Sequence, residues 1–382
     1  MTLNTDRPRR IALRIICALT LGGILVAGLS PFHSPVNQVA WLRGGDGIYI
    51  GNRGVVLNLD SPEKAAHLKG PCAMELWLRP GRHYDGGVFL AFYTPENPRQ
   101  FSLDQWEDGF ILKKGTANRN PDGPNAESYV ANALLEGKSS LLTITSDGHE
   151  ATFFVDGVRV EPSRKFAFSG RELTGRLILG ASPTSSGEWS GRLLGLAWYA
   201  RGLTPARVSR HYQAWIHGQP QLLKEDAPVA LYRFNEHQGT VIHNLAHDGM
   251  DLYIPAKLTV PAKPMLESPW SEFRPTWGYL EDFAINVAGF VPLGFFFCAY
   301  FSARCGKLAT PATVLFGLAT SLTIELLQAY LPTRNSGMTD LFTNTLGTCV
   351  GIGLFRGVAR PFAHVARRAD RRPPATSDVR FG

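Results

Sequence analysis

Glu325 to Gly353 reads ELLQAYLPTRNSGMTDLFTNTLGTCVGIG, a stretch that sets charged and amide side chains between two apolar runs. These runs, 308–331 and 341–358, each come close to the ~20 residues that a helix needs to cross a bilayer. Two more runs of this kind cover 11–29 and 283–301. The chain is therefore predicted to form four transmembrane helices, and the polar residues between them need an explanation.

The basic residues predict the orientation of these helices. The chain has 382 residues and a formal net charge of +7, concentrated in the N-terminal arginines, the loop 304–307 and the tail after 360. Because Lys and Arg favour the cytoplasmic side, both termini are predicted to be cytoplasmic and residues 31–275 to be exported. Flanking charge indicates anionic membrane lipids as partners and no nucleic acid, since no basic stripe with interleaved aromatics occurs.

The first apolar run has two interpretations. Arginines precede it, and the small residues Ala27, Gly28 and Ser30 follow it, as in a signal peptide. The run is longer than the ~7–15 residues of a signal-peptide core, which favours an uncleaved anchor, while cleavage stays open. In both cases the following segment is exported.

Between residues 45 and 260 the pattern changes to short strands. Apolar and polar positions alternate at period two, and Gly, Pro, Asp and Asn separate the segments. Many short strands at this spacing predict an antiparallel sandwich. Asp156-Gly157 predicts a type I′ hairpin, because both central residues of that turn need positive φ. Thr204 and Pro205 predict the start of one helix that continues through Trp215.

Five segments of this region carry a family resemblance: ELWLRP at 75–80, LTITSDG at 142–148, FFVDG at 153–157, RLILGASP at 176–183, and GRLLGLAWYARGLTPARVSRHYQAW at 191–215. Together they resemble the concanavalin A-like or laminin G-like jelly roll. The resemblance covers 45–220, and extends to 260 if VALYRFNEHQG at 229–239 supplies a closing strand. It implies a domain that binds glycans or proteins, or that hydrolyses polysaccharides.

The residues of the sandwich offer few chemical groups for a site. Hydrolysis needs two carboxylates about 5–10 Å apart on one face, and no strand carries an ExDxE run, so hydrolysis is not expected. Four tryptophans could stack on sugars, although alternating strands usually bury them: Trp77, Trp106, Trp189 and Trp198. Three acids could hold calcium, but loop acids are usually solvated: Asp85, Asp104 and Asp108. No metal site or cofactor is predicted, and three histidines receive no role: His83, His149 and His211.

The polar side chains of the helices are expected to meet in one layer. If the third helix ends at Pro332, Glu325 lies ~9 Å below its outer end, at a rise of 1.5 Å per residue. Pairs at i, i+3 or i, i+4 share a helix face, and the neighbouring helices start on the outside. We call this predicted set the polar layer: Asp282, Asn286, Glu325, Gln328, Arg334, Asp340 and Asn344.

The polar layer can be functional or structural. A charge in hydrocarbon costs roughly 2.5 kcal/mol or more, so these groups should face the bundle interior. Asparagines can simply join helices, at ~0.6 kcal/mol per hydrogen bond, and Asp340 could cap its helix and balance Arg334. For Asn286 and Asn344 both interpretations stay open. For Glu325 beside Arg334 a function is favoured, because a buried ion pair is an expensive way to join helices.

Glycines predict close packing of the fourth helix. Gly347, Gly351, Gly353 and Gly357 form two GxxxG steps, a pattern that lets helix backbones approach closely in membranes.

The segment DFAINVAGFVPLGF from Asp282, together with Glu325, Gln328, Pro332 and Arg334 in the quoted stretch, resembles the VanZ family of small bacterial membrane proteins. Asp340, Asn344, Gly347 and Gly351 complete the match, which covers about 280–358. The resemblance implies a bacterial membrane protein associated with low-level resistance to glycopeptide antibiotics such as teicoplanin. The chain differs from the short members by its inserted sandwich.

The predicted fold is a membrane protein with an extracytoplasmic all-β jelly-roll sandwich and an α-helical transmembrane bundle of four helices. Its predicted domains are the cytoplasmic N-terminus and first helix at 1–30, the jelly roll at 31–275, a VanZ-like bundle of three helices at 276–360, and a basic, disordered cytoplasmic tail at 361–382. The predicted location is the bacterial cytoplasmic membrane.

Three functions are compatible with these features. In the leading hypothesis the jelly roll recognises a cell-envelope glycan and the bundle binds an anionic, lipid-linked partner, with a link to glycopeptide tolerance. Arg334 would contact phosphate or carboxylate, with Gln328, Asn286 and Asn344 as orienting amides. Glu325 could donate or accept a proton, which keeps a membrane-embedded transferase or hydrolase acting on a glycolipid open. The third possibility is a structural receptor whose bundle is only an anchor.

Overall fold

The computed structural model describes residues 6–58, 69–81, 86–115, 126–184, 189–246, 250–273 and 276–369. The chain divides into two compact units. The sandwich unit comprises Pro31–Pro264 and Ala329–Asn335. The helical unit comprises Met1–Ser30, Met265–Gln328 and Ser336–Gly382. The predicted boundary at 275 therefore falls after the change of unit at Pro264.

The described residues form short strands in the middle of the chain and long helices towards its ends. The strands are β1 Val39–Trp41, β2 Ile48–Ile50, β3 Val56–Leu57, β4 Cys72–Pro80, β5 Gly87–Tyr93, β6 Phe101–Trp106, β7 Gly109–Lys114, β8 Ala126–Val130, β9 Ser140–Ser146, β10 Ala151–Val155, β11 Val158–Val160, β12 Arg176–Leu179, β13 Gly191–Tyr199, β14 Ala230–Tyr232, β15 Val241–Ile242 and β16 Leu252–Tyr253. The helices are α1 Asp6–Leu29, α2 Pro205–Ile216, α3 Pro269–Glu272, α4 Trp277–Cys305, α5 Ala309–Gln328 and α6 Met338–Ala369.

The strands form two antiparallel sheets that enclose one core. The first sheet has the order β1-β2-β13-β4-β9-β10-β11, with β14 also paired to β13, and the second has the order β15-β16-β3-β12-β5-β6-β7-β8. Large aromatic side chains fill the space between them, as in the pair Phe89–Trp189, whose ring centroids lie 5.8 Å apart. The antiparallel sandwich predicted from the sequence is thus confirmed.

Local sequence signals explain several of these elements. The hairpin between β10 and β11 turns at Asp156 and Gly157, whose φ values of 51° and 78° fit the predicted type I′ turn. Thr204 and Pro205 begin α2 as predicted, although the Thr204 side chain makes no capping hydrogen bond. Within 229–239 only Ala230–Tyr232 is a strand, and the sandwich continues to Tyr253.

A helix covers the outer face of the first sheet. Val208, Ala214 and Trp215 of α2 are buried in a second apolar cluster with residues of β4, β9 and β13. The core between the sheets covers the inner face of β4, and α2 covers its outer face. The strand is therefore buried on both faces.

The helical unit has an inverted distribution of polarity. Many large apolar side chains point outward, for example Leu19 at 70% exposed, Ile285 at 60% and Leu315 at 64%. Polar side chains lie inside, among them Ser321 and Glu325. Among the residues that the structure describes, two stretches could cross a membrane by length and hydropathy: Pro8–Leu29, and Trp277–Gln328, which contains both α4 and α5.

Helix α6 is longer than predicted. It continues to Ala369 and so enters the segment 361–382, which is predicted to be disordered. Alanine and arginine favour helix, and no helix breaker follows Pro361 before Ala369. Residues 370–382 lie outside the described ranges.

Candidate functional site

The buried acid Glu325 lies at the start of α6. Its side chain is 1% exposed, and its Oε2 accepts a hydrogen bond of 2.8 Å from the backbone N–H of Gly337. The next two N–H groups are also bonded. Met338 donates to the carbonyl oxygen of Glu267 at 2.9 Å, and Thr339 donates to Oε2 of Glu272 at 3.0 Å. Carboxylates are stabilised there because unpaired N–H groups give a helix N-terminus positive partial charge.

This geometry explains why an apolar helix carries Glu325. Glu325 is in an apolar helix because it caps the helix that follows, across a turn of only nine residues between Gln328 and Met338. The cap satisfies a backbone donor that would otherwise be costly to bury in an apolar environment.

Arg334, expected beside Glu325, lies in the segment 329–335 of the sandwich unit. There its backbone N–H donates to the carbonyl oxygen of Leu331 at 3.2 Å, and its own carbonyl oxygen accepts from Nζ of Lys263. A role of the Arg334 side chain in binding an anion therefore stays a prediction.

The amides of the polar layer each bridge two helices. Asn286 Nδ2 on α4 donates to Asp340 Oδ1 on α6 at 2.7 Å, and Asn344 Nδ2 on α6 donates to Ser321 Oγ on α5 at 2.9 Å. Gln328 Nε2 donates to the carbonyl oxygen of Gly28 at 2.8 Å, which joins α5 to α1.

Two acceptors in this layer have no hydrogen-bond partner among the described residues. They are Oδ1 of Asn344 and Oε1 of Gln328, whose side chains are 5% and 8% exposed. Asp282 differs from the rest of the layer, since it is exposed near the start of α4.

Sequence reasoning missed two residues that bond to α6, Glu272 and Ser321. Glu272 sits in the four-residue helix α3, too short to show a periodic pattern, and its Oε2 accepts from the backbone N–H of Thr339. Ser321 lies one turn before Glu325, and this i, i+4 spacing could have identified it.

Glycines bring α4 and α6 into backbone contact. A Cβ atom on Gly347 would lie 2.1 Å from the carbonyl oxygen of Val287, and one on Gly351 would lie 2.1 Å from that of Val291. Positions 353 and 357 have no neighbouring atom within 4 Å. Of the two predicted GxxxG steps, the first makes the close contact and the second lies on an open face.

The sandwich unit contains a buried ionic network that the sequence analysis did not predict. His211 is 1% exposed, and its Nδ1 and Nε2 lie 2.8 Å from Glu75 Oε1 and Asp226 Oδ2. Both ring nitrogens must donate to carboxylate oxygens, so the imidazole is protonated. Glu75 Oε2 also accepts from Tyr199 and Trp215, at 3.0 and 3.1 Å.

The pKa shifts in this network follow from its contacts. Burial alone lowers the pKa of His211, but the hydrogen bonds and charges of Glu75 and Asp226 outweigh burial and raise it above its usual value. Burial alone raises the pKa of Asp226, but its bonds with His211 and Arg210 lower it. His211 was assigned no role; its position on the buried face of α2, with Val208 and Trp215, was the available signal.

The remaining candidates of the sandwich are mostly structural. Trp189 and Trp198 are buried, Trp77 packs on Trp215, and Trp106 is 55% exposed. Asp104 pairs with Lys113, and Asp108 accepts from the Tyr129 hydroxyl at 3.0 Å. Asp85 and His83 lie outside the described residues. Within the described ranges, no group of three or more His, Cys, Asp and Glu residues is placed to hold a metal ion.

An open cavity of about 510 Å³ lies at one end of the first sheet, beside β9, β10 and β11. Its lining is mainly polar and includes Thr145, Asp147, Glu150 and Thr152. It is separate from the His211 network, whose residues do not line it.

Family comparisons agree with this architecture. Residues 231–360 match the VanZ/LLP1 family model, and residues 58–209 match the model of the concanavalin A-like lectin/glucanases superfamily. Both resemblances inferred from the sequence are confirmed. No curated protein matches the chain.

Solved structures align with the chain at low identity. The SAP-like pentraxin of Limulus polyphemus is 13% identical, with 58% of this chain and 95% of the pentraxin covered and a TM-score of 0.34. A proposed carbohydrate-binding protein of Bacteroides ovatus is 11% identical, with 56% and 61% covered and a TM-score of 0.38. A structure of botulinum neurotoxin type C, a toxin whose cell entry depends on two ganglioside molecules, is 9% identical. It covers 47% of this chain and 45% of the toxin chain, with a TM-score of 0.38. The chain thus spans less than half of the toxin structure. Similarity at this level does not assign a binding property of these proteins to the chain.

Proposed function

We propose that the chain is a multi-pass protein of the bacterial cytoplasmic membrane. Its exported jelly-roll domain recognises a cell-envelope glycan, and its VanZ-like bundle binds a lipid-linked partner. Four helices cross the membrane in this proposal: α1, α4, α5 and α6.

The observation that carries the proposal is the inverted polarity of the helical unit. Helix α6 exposes Phe342, Leu346 and Leu354 while it buries Asn344 and Thr348. In water such a surface would be an aggregation hazard, because a soluble monomer rarely exposes a large contiguous apolar patch. In a bilayer it is favourable, since lipid contacts the apolar face and the polar groups pair inside.

The sidedness of the membrane can be tested with single cysteines. Asn335 and Cys305 are both exposed and lie at opposite ends of α5. We expect an impermeant maleimide to label Asn335→Cys in intact spheroplasts and to leave Cys305 unlabelled, because basic loops stay in the cytoplasm. Permeabilised cells, in which both sites react, provide the control. Labelling of Cys305 alone in intact spheroplasts would contradict the proposed orientation.

The bundle is proposed to bind a partner and not only to anchor the sandwich. The unpaired buried oxygens of Asn344 and Gln328 support this, because a buried acceptor without a partner is costly and rare. The hydrogen bonds of Glu325, Asn286 and Gln328 within the bundle support the second candidate, an anchor held together by polar contacts.

Substitution of Arg334 separates these two candidates. If Arg334 contacts a phosphate, Arg334→Gln should weaken binding of an undecaprenyl-phosphate-linked sugar to nanodisc-embedded protein at least about tenfold, since a charged hydrogen bond contributes ~1.5–3 kcal/mol. Arg304→Gln, in the last turn of α4, is the matched control. Equal binding by both variants and the parent, with normal membrane levels, would leave the anchor as the function of the bundle.

A further inference from the structure

The cavity beside β9, β10 and β11 has the size of a small-molecule site. Its volume of about 510 Å³ lies within the ~300–1,000 Å³ usual for ligand pockets. Four apolar residues belong to its lining: Pro71, Val160, Pro162 and Leu203. Apolar and polar groups in one lining suit a ligand that has both a C–H face and hydroxyls.

The lining carries charges of both signs. Asp147, Glu150 and Glu161 contribute three negative charges, and Arg159 and Lys165 contribute two positive charges. Four of these side chains form ion pairs: Lys165 with Glu150 at 3.4 Å and Arg159 with Glu161 at 3.2 Å. The negative and positive side chains are nearly equal in number. This favours a neutral ligand, because a charged ligand would lie beside side chains of its own sign.

Asp147, one of the lining residues, has a fixed orientation. Its Oδ1 accepts from the backbone N–H groups of His149 at 2.7 Å and Glu150 at 2.8 Å. An ionised carboxylate offers acceptor sites on both of its oxygens. A carboxylate held in this way can accept hydrogen bonds from hydroxyl groups without first losing side-chain freedom.

We propose that this cavity is the subsite for one neutral, hydroxyl-bearing sugar unit of a glycan. The ring's C–H face contacts Val160 and Leu203, and its hydroxyls donate to Asp147 and Glu150. This inference rests on the proposed glycan recognition by the jelly roll, and it adds the place of binding and the charge class of the ligand.

The test uses the full chain in nanodiscs and three tetrasaccharides of different charge: neutral chitotetraose, cationic chitosan tetraose and anionic tetragalacturonate. We expect chitotetraose to bind most tightly. Thr152→Trp, which fills the cavity from β10, should weaken its binding at least about tenfold, a loss of ~1.4 kcal/mol. Val158→Trp, on the exposed neighbouring strand and outside the cavity lining, should bind as the parent does.

A second pair of variants keeps the test independent of folding defects. Glu150→Gln removes one acceptor charge from the cavity lining and should weaken binding of chitotetraose. Glu127→Gln, at an exposed acid on β8, should not. Parent-like binding by both Thr152→Trp and Glu150→Gln, or a preference for a charged tetrasaccharide, would overturn the subsite and leave glycan recognition standing. Failure of the folded parent to bind any saccharide on a broad glycan array would instead refute the proposed function.

Discussion

Replacing His211 with leucine is expected to destabilise the sandwich unit by about 3–5 kcal/mol, the usual cost of removing one partner from a buried ion pair. The protonated imidazole lies between Glu75 and Asp226, which are 0% and 2% exposed. Leucine fills a similar volume but leaves the Glu75 carboxylate buried with only the Tyr199 and Trp215 donors. Urea unfolding of the full chain in detergent micelles, followed by tryptophan fluorescence, measures the loss.

His149→Leu is the matched control. His149 is exposed, and surface substitutions of this kind usually change stability by less than about 0.5 kcal/mol. Equal stability of His211→Leu and His149→Leu would show that the imidazole does not hold α2 to the sheet.

The same network predicts how stability depends on pH. The pKa of His211 is raised by folding, so its contribution is complete below the unfolded pKa of about 6.5 and is lost as pH rises through the higher folded value. The pKa of Asp226 is lowered, so its contribution is present above the unfolded pKa of about 3.9 and is lost as pH falls through the folded value. The network should therefore stabilise the sandwich unit most in mildly acidic solution. In His211→Leu, the free energy of unfolding should fall less steeply as the pH rises above neutral.

The second large effect is expected at Gly347. Alanine there would place its Cβ atom 2.1 Å from the Val287 carbonyl oxygen, so α4 and α6 must move apart. Overpacking of this kind costs ~1–3 kcal/mol, and here it also weakens the neighbouring contact of Gly351 with Val291. The unfolding midpoint of the helical unit in sodium dodecyl sulfate titrations should fall.

Gly353→Ala is the control on the same helix, and it should raise the unfolding midpoint. Position 353 has no atom within 4 Å, and alanine favours a helix interior over glycine by ~1 kcal/mol. A rise in the midpoint for Gly347→Ala, or equal midpoints for both variants, would show that the first GxxxG step does not join α4 to α6.

Much of the fold follows from local signals. The hairpin at Asp156-Gly157, the start of α2 at Pro205 and the long apolar helices depend on turn conformation, helix capping and the length of apolar runs. Each of these is contained within a few neighbouring residues, so the sequence predicts it directly. The expectation that Asn286 and Asp340 lie in one polar layer also follows from helix direction and spacing.

The sequence by itself therefore determined the two kinds of domain, several of their strands and helices, and which polar side chains the apolar helices carry. Only the tertiary structure decided what those residues contact. Glu325 bonds to the backbone of Gly337, and His211 joins Glu75, which lies 136 positions earlier in the chain. Such partners are decided by how distant elements pack, because a hydrogen bond depends on positions within a few tenths of an ångström, and no local pattern encodes these.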